Sequence, residues 1–227
     1  MNLVFDTNSP GFLPETSDGF LPFRTATFKK LYSQSKAPTR GPKPQVIGLA
    51  PQRWQMSFQS DTLNWSDANA LMTVLEGLEG GTILFKAWHP QLRFPQKYRG
   101  GFSGLTRHGG GAFDGTCNIT GVGGTLKTLT LSNLPDAFQF TLGDMVSFPF
   151  GDTQLLFRIL ADATANNSGV VTVSVTPTLP ISLSVTTPPI VATVFKPWCL
   201  ASIDADSIDG PIDGNTGSVS FSAVQVG

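Results

Sequence analysis

Charge is scarce in this chain. Of its 227 residues only 14% are Asp, Glu, Lys or Arg, against about 25% in an average soluble domain, and the 15 basic and 16 acidic side chains nearly cancel to a net of −1. That balance excludes the strong electrostatic footprint of nonspecific nucleic-acid binding or of attachment to an anionic bilayer. Apolar runs of 18 residues are also missing, so no membrane-spanning helix is expected. The start, Met1 to Pro10, lacks the basic segment and apolar stretch of a secretory leader, which points to synthesis in a cytoplasm. Two cysteines, Cys117 and Cys199, are too few for a disulfide framework and read as small buried hydrophobes.

Catalytic vocabulary is equally thin. Poising a proton near neutral pH falls mostly to histidine, and the chain has two, His89 and His108, neither at a recognised spacing from an Asp, Ser or Cys. The G-x-S-x-G, C-x-x-C, H-E-x-x-H and G-x-x-x-x-G-K-[ST] signatures do not occur. An acidic group at Asp204, Asp206, Asp209 and Asp213 could offer oxygens to a hard cation, but its spacing misses the EF-hand loop, and aspartates in Gly- and Pro-containing loops are ordinarily turn formers. The expectation is a protein that is not an enzyme and carries no metal or cofactor.

Turn formers and aromatics are what the chain has instead: 24 Gly, 17 Pro, 17 Phe and 4 Trp. So many large apolar side chains at near-zero net charge exclude disorder, and the length suits one large or two small β units. Prolines recur up to Pro51, confining that region to arms and edge strands, and Ser33–Gln45 reads as an exposed basic loop. Arg53–Gln59 alternates polar and apolar, the period of a strand with one buried face. Ala68, Leu71, Met72, Leu75 and Leu78 then follow helical spacing behind a Ser66-Asp67 cap signal, giving one helix over about 66–78, and Thr82–Trp88 returns as strand. Ten glycines within residues 99–124 suggest a flexible junction. Beyond it, short strands at Thr125–Leu131, Met145–Phe148, Leu155–Ala161, Val170–Val175 and Ile190–Phe195 have the cadence of a small antiparallel barrel, and Ser218–Val224 returns to the first sheet. Trp54, Trp65, Trp88 and Trp198 are expected in cores. Charge is divided unevenly: residues 1–110 carry a net of +5 and residues 111–227 a net of −6.

The order of these motifs resembles a known family. Trp54-x-Met56-x-Phe58, the helix entry from Trp65 to Leu71, Leu75-x-Gly77-Leu78-x-Gly80-Gly81 and Phe85 are similar to the strand–helix–strand of tail-tube-like proteins of long-tailed bacteriophages. In the second half, Leu129–Leu134, Thr141–Phe148 with its Leu142-Gly143-Asp144 turn, Phe157–Leu160, Ala163–Ala165, Ser168-Gly169, Val171–Val175 and Pro177-x-Leu179 continue the likeness. The chain thus resembles the distal tail proteins of siphophages. The resemblance implies an all-β fold with one helix: a tail-tube-like β-sandwich or split barrel over residues 1–112 plus 196–227, and an inserted antiparallel β-barrel over 113–195. It implies a structural virion component made in the host bacterial cytoplasm, a homohexameric ring at the tail tip joining the tail tube protein to the hub or baseplate. No catalytic residue, no membrane and no recognition of nucleic-acid sequence are implied.

Subunit contacts are expected at Lys29, Lys30, Lys36, Arg40 and Lys43, with residues 33–45 and 89–111 reaching neighbouring rings. The alternatives are a tail tube or tail-completion protein (a tube subunit needs only one β domain) and a carbohydrate-binding module of the tail tip contacting the host surface. The latter wants exposed aromatics on one barrel face, and Thr125–Val194 contains no Trp or Tyr.

Overall fold

A computed structural model describes residues 3–4, 15–16, 23–32, 34–37, 45–48, 51–185 and 188–226. The protein is all-β with one α-helix, and its strands collect around two apolar cores.

The first core lies under a curled five-stranded antiparallel sheet. Its strands are β1 (Phe23–Leu31), β2 (Arg53–Ser60), β3 (Phe85–Trp88), β10 (Trp198–Asp209) and β11 (Ser220–Gln225), in the order β1-β2-β11-β10-β3. Strand β2 follows its sequence period without interruption: Trp54, Met56, Phe58 and Ser60 point inward while Arg53, Gln55, Ser57 and Gln59 face out. Phe58 stacks on Phe221 of β11 at 5.0 Å, and Phe23, Phe28 and Phe85 close around the pair edge-on or tilted. Helix α1 (Trp65–Glu76) buries Ala68, Leu71 and Leu75.

The helix begins one residue before the expected start, and its cap lies ahead of the Ser66-Asp67 signal. Asn64 is the cap, because its side-chain oxygen accepts the N–H of Asp67 at 2.8 Å. Trp65 therefore falls on the first exposed turn, 55% accessible, and not in a core; Trp54 and Trp88 are buried and Trp198 half-buried. The strand expected from Thr82 starts only at Phe85, since Glu79–Gly81 forms a 3-10 turn behind the helix. Gly81, at φ 93°, sits where any side chain would collide with Ser202 and the backbone of Ile203 in β10.

The second core fills a closed antiparallel barrel of six strands: β4 (Thr116–Val122), β5 (Thr128–Ser132), β6 (Met145–Phe150), β7 (Thr153–Ile159), β8 (Val171–Thr176) and β9 (Ile190–Thr193), ordered β5-β8-β7-β6-β9-β4. The barrel lies between β3 and β10, which pair directly with each other. One expectation needs correction here. The glycine-rich stretch 99–124 is not all linker: Cys117 and Ile119 alternate inward along β4, and Gly121 lies flat against Thr130 of β5. Residues 89–111 fold back on their own barrel as an aromatic plug, where Phe94, Tyr98, Phe102 and Leu105 join its core and Tyr98 stacks on Phe138 at 4.4 Å.

Candidate functional site

The residues that could do something gather along the seam between the two cores and along the edge strand β1. Trp54 crosses the seam. Its indole N–H donates to the Leu156 carbonyl at 2.7 Å in buried surroundings, and the Arg158 guanidinium lies 5.0 Å from the ring centroid. Ser147 of the barrel accepts the Trp198 N–H at 3.1 Å and the Gln154 side-chain amide at 3.2 Å. Met145 and Leu156, both barrel residues, belong to the sheet's apolar cluster. With a buried indole, two hydrogen bonds and shared apolar contacts, the two units are held in one arrangement.

Barrel and plug are stapled by a carboxylate. In the Leu142-Gly143-Asp144 turn, Asp144 is 1% exposed, and its oxygens accept the backbone N–H of Gln96 at 2.9 Å and of Thr141 at 2.7 Å. Burial raises its carboxyl above the usual range, which the two N–H donors partly offset. Gln96 completes the contact by donating its amide to the Leu142 carbonyl at 2.9 Å.

His89 sits at the end of β3, its ring 5.1 Å from that of Phe28. Burial, with the Arg158 charge as the second cause, pushes its pKa down to about 4 from 6.5 against the pull of the Ala26 backbone and its own. The folded imidazole is thus neutral where the unfolded one is charged. Between pH 6.5 and 4 the unfolded chain binds more protons, so this group's contribution falls as the solution is acidified, by about 2 kcal/mol once its partial exposure is allowed for. Denaturant titrations at pH 7 and pH 4 check this. His89→Gln is expected to lose less stability across that window than the wild type by the same amount.

The thiols are inert. Cys117 and Cys199 are fully buried, and burial pushes the Cys117 thiol up to about 12 and Cys199 higher still. His108 pairs with Asp136 at 2.8 Å on the surface. Among the described residues no group of three or more His, Cys, Asp or Glu is arranged to hold a metal ion. The acidic segment is not the loop expected from its composition: Asp204, Asp206 and Asp209 lie on strand β10 and are exposed.

Of the residues expected at subunit contacts, Lys29 is exposed on β1, while Lys30 reaches across to the barrel and donates to Thr176 Oγ1 at 3.1 Å. Lys36 lies on a short strand, Gln34–Ala37, paired with Gln45–Gly48 where a loop was expected; its side chain, Arg40 and Lys43 lie outside the described residues. Sequence reading missed a basic pocket of about 570 Å³ where Arg24, Arg93 and Arg99 converge with Phe23, Phe94 and Gln91. These arginines are spread over 75 positions, and the positive balance of the first half was the one signal for them. A second groove of about 490 Å³ opens on the seam between Arg53, Leu126, Phe150, Leu179 and Ile181, and is mostly apolar.

No protein-family model matches this sequence, and no curated protein matches it. A functional reading therefore stands on architecture and surface chemistry.

Proposed function

We propose that the chain is a structural, ring-forming component of a bacteriophage tail tip, of the distal tail kind, linking tail tube to hub or baseplate. The observation that carries this reading is architectural: a curled sheet with one helix across it, into which a complete closed barrel is inserted between two strands, β3 and β10, that pair with each other. A tube subunit needs only one such β domain, so the inserted barrel favours the distal position. The surface agrees, because a chain with 14% charged residues is suited to meeting protein over much of its area, and the cores of protein interfaces are depleted in charge.

Ring formation has a physical route through sheet edges. Strand β1 is nine residues long and ends the sheet, with no further strand paired to its outer edge among the described residues. Its outward residues Arg24 and Lys29 keep it from pairing indiscriminately, as charges on edge strands do. Native mass spectrometry and negative-stain imaging of the purified chain, alone and with tail tube and hub proteins, test the proposal. Closed rings, six copies expected, support it; a chain that stays monomeric with its tail partners present overturns it.

A further inference from the structure

Hydroxyls and amides dominate the outward face of the curled sheet. Helix α1 packs on the inner face, and the outward residues of β1, β2, β11 and β10 follow one another across the strands in register. One rung runs Thr27, Ser57, Ser222 and Asp204, and the next begins Lys29, Gln55 and Val224. Neighbours on a rung stand about 5 Å apart, so the three hydroxyls span about 10 Å. Serine and threonine are shorter than the lysine and glutamine beside them. Where the two rungs meet, a hollow of about 220 Å³ opens between Thr27, Lys29, Gln55, Ser57 and Ser222, with Met56 beneath.

Lys29, Gln55 and Ser57 are exposed, so solvent reaches the hollow directly. Among the described residues, the side chains of all five polar lining residues make no hydrogen bond or ion pair. Each hydroxyl donates and accepts, and the Gln55 amide does both at once. A matching ligand must do the same, which sugar hydroxyls can and phosphodiesters cannot. Lys29 adds one compact charge with three donors and no acceptor, suited to one carboxylate. A polyanion fits poorly, because a single cation faces it and the exposed Asp204 closes the far end of the rung with a negative charge.

We propose that this hollow binds a single acidic sugar unit, a uronate, with its carboxylate on Lys29 Nζ and its ring hydroxyls on Thr27, Gln55, Ser57 and Ser222. The volume agrees, being below the about 300–1,000 Å³ that enclose a drug-sized ligand. No aromatic ring lines the hollow among the described residues, so hydrogen bonds carry recognition, and half-buried Val224, next on the rung after Gln55, offers an apolar contact to the C–H edge of the sugar. The site stands apart from the ring reading and needs no second copy of the chain.

Saturation-transfer NMR on the full chain reads binding of D-galacturonate and trigalacturonate, with D-galactose as the neutral counterpart. Both uronates are expected to bind, and galactose to bind at least about tenfold more weakly, since it lacks the charge-assisted bond to Lys29. Lys29→Ala is expected to weaken the uronates by the same factor and to leave galactose unchanged. Ser57→Gln, whose longer side chain fills the hollow, is expected to abolish binding of all three. Both positions are exposed, circular dichroism verifies folding, and Lys127→Ala, exposed in the turn between β4 and β5, is expected to bind as the wild type does. Absence of signal from both uronates overturns the proposal, as do equal affinities for galacturonate and galactose, or uronate affinities that neither hollow variant changes. Binding of trigalacturonate without the monosaccharide overturns the single-unit site. Sedimentation velocity on the same samples reads assembly: rings without uronate binding sink the hollow alone, and uronate binding by a chain that forms no ring sinks the ring alone.

Discussion

Trp54→Ala is expected to lower the stability of the folded chain by about 4 kcal/mol, the largest loss from any single truncation considered. The indole is 1% exposed, packs edge-on to Phe28 at 6.4 Å and carries the hydrogen bond to the Leu156 carbonyl across the seam. Truncation removes a large apolar surface, opens a cavity between the two cores and strands a buried carbonyl. Trp54→Phe separates these effects, keeping most of the ring and losing only the donor, with an expected cost of about 2 kcal/mol. Urea unfolding followed by tryptophan fluorescence and by circular dichroism measures both; a loss below about 1 kcal/mol for the alanine variant means that the seam does not need the indole.

The second large effect is at Asp144. Asp144→Ala leaves two half-buried backbone donors, the N–H groups of Gln96 and Thr141, without their acceptor. Unsatisfied buried groups of this kind cost about 1–3 kcal/mol each, and partial relaxation toward water brings the expected total to about 3 kcal/mol. Asp144→Asn retains the shape and an acceptor on one side but turns an amide N–H₂ toward the other donor, so an intermediate loss of about 1.5 kcal/mol is expected. Hydrogen exchange adds a spatial readout: protection should fall first at Gln96 and Thr141 and in the turns 90–99, because Asp144 ties them to the barrel. Uniform loss over the whole barrel would show that the carboxylate holds the barrel itself and not its plug.

Much of the architecture could be read from the chain alone because its elements are half-buried and periodic. Arg53–Gln59 alternates by twos and is β2; Ala68, Leu71 and Leu75 repeat by helical spacing and are the buried face of α1. The barrel strands β5 to β9 each fall within a few residues of their expected positions, since a turn signal separates each from the next. Strand β4 escaped notice because Gly121, Gly123 and Gly124 look like linker; Gly121 and Gly123 instead lie close against Thr130 and Thr128 of β5. The long strand β10 escaped for a similar reason, its aspartates imitating a turn while sheet pairing with β11 supplied the backbone partners.

What the sequence by itself determined was the fold class, the single helix, the inward face of β2 and the scarcity of catalytic groups, because these depend on local period and composition. Only the tertiary structure decided that Trp54 bonds to Leu156, that Asp144 tethers Gln96, and that Thr27, Ser57 and Ser222 stand level across three strands. Those pairings join residues tens to more than a hundred positions apart. Their geometry is set by strand register and by how a closed barrel seats against a curled sheet, and neither leaves a local pattern in the chain.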